Sequence, residues 1–175
     1  MSAGLDWPRI GADLDAEGSA VASGLLTADQ CRAVAALYSR NDLFRKTVEM
    51  ARHGYGRGAY KYLAYPLPEP IAGLRASLYP PLAEIANRWN AAMGHAPRYP
   101  AAHADFLATC HAAGQTRPTP LILRYGAGDY NRLHQDLYGE HVFPLQAAIL
   151  LSRPGDDFTG GEFVLTEQRP RMQSR

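Results

Sequence analysis

No run in this 175-residue chain approaches the roughly 18 consecutive apolar residues that a membrane-spanning helix requires. The first residues, Met1 to Pro8, have neither the basic start nor the apolar stretch of a secretory signal. A cytoplasmic protein with no membrane partner is therefore expected. Cysteine is scarce: Cys31 and Cys110 lie far apart and outside any Cys-x-x-Cys pair, which argues against a disulfide framework or a thiolate metal site and leaves two reduced thiols. Excess charge of one sign is also missing. A net charge of +1 gives no global pull toward nucleic acid or an anionic membrane, while leaving room for a local basic groove. There is no internal repeat and no low-complexity linker. What remains is an ordinary globular composition, long enough to bury about two-thirds of its unfolded surface in one core, so residues 1–175 are read as a single domain.

Within that domain the pattern changes near Thr119. Thr27-Ala28-Asp29-Gln30 fits a capping box, and the helix it opens would bury Cys31, Val34, Ala35 and Tyr38 at helical spacing. A second helical zone is predicted over Ile71 to Met93, with Pro80-Pro81 splitting it in two. The Ala-rich stretch Pro100 to Gly114, closed by Gly, predicts a third helix. Gly18 to Leu26 reads as a strand or an extended arm. Between these lies Ala51 to Leu63, where Arg, His and Tyr interleave with Gly54, Gly56 and Gly58. That segment suits either a lid over a nucleobase or a twisted hairpin whose tyrosines cover the helices. From Thr119 onward, Pro120 to Tyr125, Tyr130 to Asp136, Phe143 to Leu151 and Gly161 to Thr166 are short, apolar or alternating, and separated by turn residues, as strands are. Helices followed by strands indicate an α+β fold, with residues 1–118 as a mainly helical support and 119–175 as β-structure.

The residues that carry chemistry are His134 and Asp136. On a strand, residues two apart project from one face, so an imidazole and a carboxylate in a His-x-Asp triplet can grip one metal ion. The same triplet occurs at His103-Ala104-Asp105, but there it falls in the Ala-rich helix, where residues two apart diverge by roughly 200°. His103 and His111, eight apart, share a helical stripe and are expected to take no part in metal binding. The bland alternative for His134 and Asp136 is a hydrogen-bonded surface pair.

Arg124-Tyr125-Gly126 through Leu133-His134-Gln135-Asp136 resembles the metal-binding hairpin of the AlkB-type nucleic-acid demethylases. Gly160-Gly161-Glu162-Phe163, after the apolar stretch Phe143 to Leu151, is similar to a segment of the prolyl-hydroxylase-like oxygenases. Both belong to the Fe(II)/2-oxoglutarate-dependent oxygenase superfamily. The resemblance covers roughly the last third of the chain. It implies a double-stranded β-helix (jelly-roll) core and a dioxygenase that hydroxylates a C–H bond using 2-oxoglutarate and O2. Non-haem Fe(II) takes two His and one carboxylate as a facial triad with open positions for cosubstrate and O2. By resemblance His134 and Asp136 are iron ligands, and Tyr125 matches a tyrosine that hydrogen-bonds the cosubstrate. The implied substrate is an alkylated base of damaged nucleic acid, demethylated oxidatively. A peptidyl or prolyl hydroxylase, and a non-catalytic relic that binds metal or a partner, are the alternatives.

Two departures from the family pattern stand out. The demethylases carry Asn two residues before the Tyr, where this chain has Leu123. The family's third ligand, a later His followed by a basic residue that anchors the cosubstrate, has no counterpart before Arg175, so the resemblance implies a core that lacks its final strands. His141 would be the third ligand only if Tyr138 to His141 turned the chain back; otherwise it is a loop residue. Arg169 and Arg171 read as tail charges, Asp156 and Asp157 as parts of the Arg153-Pro154-Gly155 turn, and Gly160-Gly161 equally as a plain turn.

Overall fold

In the computed structural model, which describes residues 4–96, 98–136 and 141–166, the chain opens with helix α1 (Trp7–Glu17). The Asp6 carboxylate accepts from the Arg9 amide at 3.0 Å, Pro8 sits where no helical N–H is needed, and Gly18 closes the helix at φ 69°. Its apolar stripe, Ile10 and Leu14, packs on Ile85 of α3 (Glu69–Ala92), with Trp7, Leu82, Trp89 and Leu145 around it. Asp15 clamps the same two helices from outside, accepting from Arg88 Nη2 at 2.7 Å and Trp89 Nε1 at 2.6 Å. Those bonds, the Trp89 one foremost, hold the Asp15 carboxyl below its ordinary pKa.

Helix α2 (Ala28–Ala36) starts at the capping box expected of Thr27 and Gln30: Gln30 N donates to Thr27 Oγ1, and Thr27 N donates to Gln30 Oε1 at 2.8 Å. Val34 is buried, whereas Ala35, expected inside, is exposed. Gly18 to Leu26 forms no strand. Helix α3 runs without interruption through Pro80-Pro81, contrary to the expected break. Each proline removes a helical hydrogen bond. The loss is offset by packing on both sides of the pair, where Leu74, Tyr79, Ala83, Ile85 and Ala86 are all buried.

The region read as mainly helical also supplies most of a sheet. Strand β1 (Phe44–Glu49) pairs antiparallel with β3 (Ala59–Leu63), Val48 opposite Tyr60, and β4 (Leu121–Arg124) adds to the other edge of β3, giving the order β1-β3-β4. Ala51 to Leu63 is thus part of a hairpin. That is the second of the two readings of this segment; the sequence does not announce its partner β1, because Arg45 and Lys46 make it too polar to read as core. Arg45 lies over the Tyr62 ring, and Lys61 of β3 over that of Tyr38, each 4.4 Å from the centroid. The excursion between β1 and β3 contains β2 (Gly56–Arg57), which pairs antiparallel with β5 (Tyr130–Asn131).

Helix α4 (His103–Ala112) carries both His103 and His111. It packs through an aromatic cluster in which Tyr79, Phe106 and Phe143 stand 5.3 to 5.9 Å apart and Tyr99 meets Phe106 and Phe143 edge-on. Burial there pushes the Tyr79 phenol up to about 12 and lowers the His103 pKa, with Arg75 adding to the latter. Phe143 to Leu151 and Gly161 to Thr166, expected as strands, join no ladder among the described residues. Alternation marks a potential strand, but a strand exists only with a hydrogen-bonded neighbour. Here 141–145 docks on the helices instead: Gln115 pairs reciprocally with the His141 backbone, Tyr99 Oη donates to Val142 O at 2.9 Å, and Phe143 enters the aromatic cluster. No helix among the described residues is long and apolar enough to cross a membrane.

Candidate metal centre

Strand β4 hands the chain to a tight turn at Tyr125 to Asp129, where Gly126 N donates to Asp129 Oδ2 at 2.8 Å and Asp129 N to Gly126 O at 3.1 Å. Gly128 takes φ 77°, open to glycine without strain. The turn delivers β5, and the pairing with β2 extends one residue further, Arg132 N donating to Tyr55 O at 2.9 Å. The chain then leaves the ladder, so His134 and Asp136 stand just past β5 rather than on a strand.

The two side chains nonetheless meet. His134 Nε2 lies 3.5 Å from Asp136 Oδ1, while His134 Nδ1 is 2.7 Å from the Arg132 carbonyl oxygen. A carbonyl can only accept, so Nδ1 carries a proton there and Nε2 is the ring nitrogen turned toward Asp136. This is the second-sphere arrangement by which metal-bound histidines are fixed in tautomer and orientation. Asp136 is steadied in turn, its Oδ2 accepting from Gln146 Nε2 at 3.2 Å. Two ligands held about 2.1 Å from one ion at a right angle stand roughly 3 Å apart, close to the separation found. The donor types and their placement therefore fit a metal ion as two of its ligands.

The pair is not enclosed. The His134 and Asp136 side chains are 49% and 45% exposed, because no element covers the segment after β5 leaves its ladder. Among the described residues no cluster of three or more His, Cys, Asp or Glu is placed to hold an ion, His141 included. The His141 backbone is engaged by Gln115, and the residue borders a cavity of about 50 Å³ beside Tyr99 and Phe106. A larger groove of about 470 Å³ lies between α1 and α3, lined by Trp7, Asp15 and Arg88 among others, and contains neither member of the pair. Arg169 and Arg171 lie outside the described residues, as do Tyr138, Gly139 and Glu140.

Tyr125 sits at the mouth of the β4–β5 turn and is 46% exposed. Burial raises its phenol pKa, Asn131 opposes that and Asp129 adds to it. Its ring comes close to Gly58, where a Cβ would stand 3.1 Å from Tyr125 Cδ1. His103 has ring neighbours, Tyr79 at 5.1 Å, and His111 faces Tyr65 at 6.2 Å. Gly160 and Gly161 both adopt left-handed φ near 70°, and Asp156 and Asp157 pair with Arg153 in the turn before them. Sequence reasoning missed Gln146 and Tyr55, which touch the site across ten and seventy-seven residues respectively, through single hydrogen bonds that no periodicity announces.

A family model described as an oxygenase catalysing oxidative methylation of damaged DNA, Oxygenase-NA, matches residues 58–175. Two curated proteins from two strains of Mycobacterium tuberculosis, both described as uncharacterized, are 56% identical to the chain over 119 residues. The match takes in 68% of this chain and 51% of each relative, so the chain spans about half the length of the curated relatives it matches. No solved structure gives a significant match.

Proposed function

Because the chain belongs to the Oxygenase-NA family, we propose that it forms part of a cytoplasmic Fe(II)- and 2-oxoglutarate-dependent dioxygenase that hydroxylates the N-methyl group of an alkylated base in damaged DNA. The observation that carries the iron-site reading is the His134 ring, held through Nδ1 on the Arg132 carbonyl with Nε2 turned to Asp136. His134 and Asp136 would hold the iron. Fe(II) bound there would supply the open coordination positions at which 2-oxoglutarate and O2 react.

Arg132 fixes the imidazole through its carbonyl and leaves Nε2 to meet the metal, and Gln146 keeps the Asp136 carboxylate turned toward the ring. Tyr125, whose raised pKa keeps its hydroxyl protonated, acts as a hydrogen-bond donor to the cosubstrate. In the overall reaction one atom of O2 enters succinate as 2-oxoglutarate loses CO2, and the other becomes the hydroxyl on the methyl carbon. The hemiaminal so formed breaks its C–N bond, releasing formaldehyde and restoring the N–H base. The methyl group is thus removed, not added. The resemblance of residues 124–136 to the AlkB-type hairpin supports a jelly-roll core to which β4 and β5 contribute.

The test is to load the full-length dioxygenase of which this chain forms part, at the length of the relatives it half covers, with Fe(II) under anaerobic conditions and then supply 2-oxoglutarate, O2 and an N-methylated oligonucleotide. Succinate and formaldehyde should appear in equal amounts. Succinate produced equally without the oligonucleotide, or formaldehyde produced without 2-oxoglutarate, would reject the proposed reaction.

A further inference from the structure

The charge of this chain is unevenly shared. Residues 44–63 and 117–136, which contain the five strands found among the described residues, hold eight Lys and Arg against three Asp and Glu, while the remaining residues hold ten against fourteen. A chain of net +1 thus carries +5 on the strands and their connections. Part of that charge is locally matched, Glu49 by Arg52 at 2.6 Å and Asp129 by Arg57 at 4.0 Å. Lys46, Arg117 and Arg132 have no acidic partner among the described residues.

The β2–β5 ribbon concentrates aromatic surface within this basic region. Its register sets Arg57 opposite Tyr130, and the Arg132 to Tyr55 hydrogen bond sets those two side by side. Two Tyr–Arg pairs therefore lie next to each other. Tyr55 and Tyr130 are 48% and 49% exposed, although tyrosines of a structural hairpin would bury their rings. His53 stacks on Tyr55 with centroids 5.3 Å apart and planes 22° from parallel, backing one face of that ring. The ribbon also leads straight to the candidate metal site, since Arg132 bonds Tyr55 through its N–H and His134 through its carbonyl.

We infer that the β2–β5 ribbon is a binding surface for single-stranded DNA, with Tyr55 and Tyr130 stacking on unpaired bases and Arg57 and Arg132 pairing with the phosphates between them. Exposed aromatic faces with cations beside them are the way proteins hold single strands without reading sequence, because every base has a π-face and every link a phosphate. Duplex bases are already stacked and would leave the rings unused. The inference rests on the proposed reaction only in identifying the polymer as DNA; it concerns strand held beside the reacting base, independent of metal and cosubstrate.

The experiment is fluorescence anisotropy of the full chain, metal-free, with a labelled undamaged oligothymidine and with the same length of duplex. Wild type should prefer the single strand. Tyr55→Ala should weaken it at least about fivefold, while Tyr55→Phe, which keeps the ring, retains binding. Arg57→Ala and Arg132→Ala should each lower the slope of log Kd against log salt by about 0.7. Arg32→Ala, an equal loss of charge on exposed α2, should change nothing. Absence of binding, equal affinity in every variant, a loss with Arg32→Ala as large as with Arg132→Ala, or an equal or better fit to duplex would each overturn the surface. None of these results touches Fe(II)-dependent formaldehyde release, and loss of that release with strand binding intact would overturn the proposed reaction alone.

Discussion

Gly56 approaches the carbonyl oxygen of Tyr130 so closely that a Cβ on it would stand 2.1 Å from that atom. Its φ of 128° is also one that residues with side chains rarely adopt. Replacement by Ala therefore has to part β2 from β5 and impose backbone strain, at a cost of at least about 1–3 kcal/mol. Gly56→Ala should lower the urea midpoint clearly, while Gly4→Ala, with open space around it, leaves it in place. Equal midpoints for wild type and Gly56→Ala would mean the ribbon contributes nothing to stability.

Met50 and Leu63 are the largest side chains sealed completely from solvent, Leu63 at the end of β3 and Met50 on the turn after β1. Truncating either leaves a cavity in a packed interior, so Leu63→Ala should cost about 2–5 kcal/mol of unfolding free energy. Val21→Ala, at a position 76% exposed, should stay within about 0.5 kcal/mol of wild type. Chemical denaturation of the pair checks this. A similar loss at both positions would show that burial does not govern stability here.

Legibility in the sequence followed whether a feature was local. The Thr27–Gln30 box and α4 are decided within a few residues, and each stands where its pattern pointed. His134 and Asp136 do lie side by side, but past the end of β5 and not on the strand expected for them. Continuity of α3 through Pro80-Pro81 was not legible, because it depends on burial supplied by other elements. Strand β3 fell within the segment read as a hairpin, but β1 escaped because a cation–π contact with Tyr62 lets Arg45 occupy the sheet. Phe143 to Leu151 misled in the opposite direction, its apolar run real but its neighbour a helical aromatic cluster and not a strand.

His103 lies against the Tyr79 ring, where burial and then Arg75 lower its pKa below the ordinary 6.5. The unfolded chain therefore takes up a proton at this position before the folded protein does. Its contribution to stability is fully present above about pH 6.5 and is lost as pH falls toward the folded pKa. His103→Gln should flatten the fall in Tm between about pH 7.5 and pH 5.5. A variant that loses stability with acid as steeply as wild type would remove His103 as the source.

Metal affinity should separate what His134 needs from what Arg132 offers. The imidazole is oriented by the Arg132 carbonyl, a group that every residue possesses, and the carboxylate by Gln146 Nε2. In an anaerobic Fe(II) titration, with Co(II) as an optical surrogate, His134→Ala and Asp136→Ala should each abolish binding, since one remaining donor cannot hold the ion. Gln146→Ala keeps both donors but frees the carboxylate, and should weaken binding by about tenfold, the lower end of the range for loss of a ligand-orienting partner. Arg132→Ala should bind metal as wild type does while losing affinity for single-stranded DNA. This contrast is the sharpest check on the site, because a merely structural role for residues 132 to 136 would move all four variants together. Wild-type affinity in Asp136→Ala would instead leave His134 and Asp136 as a hydrogen-bonded surface pair and send the search for the metal elsewhere in the protein.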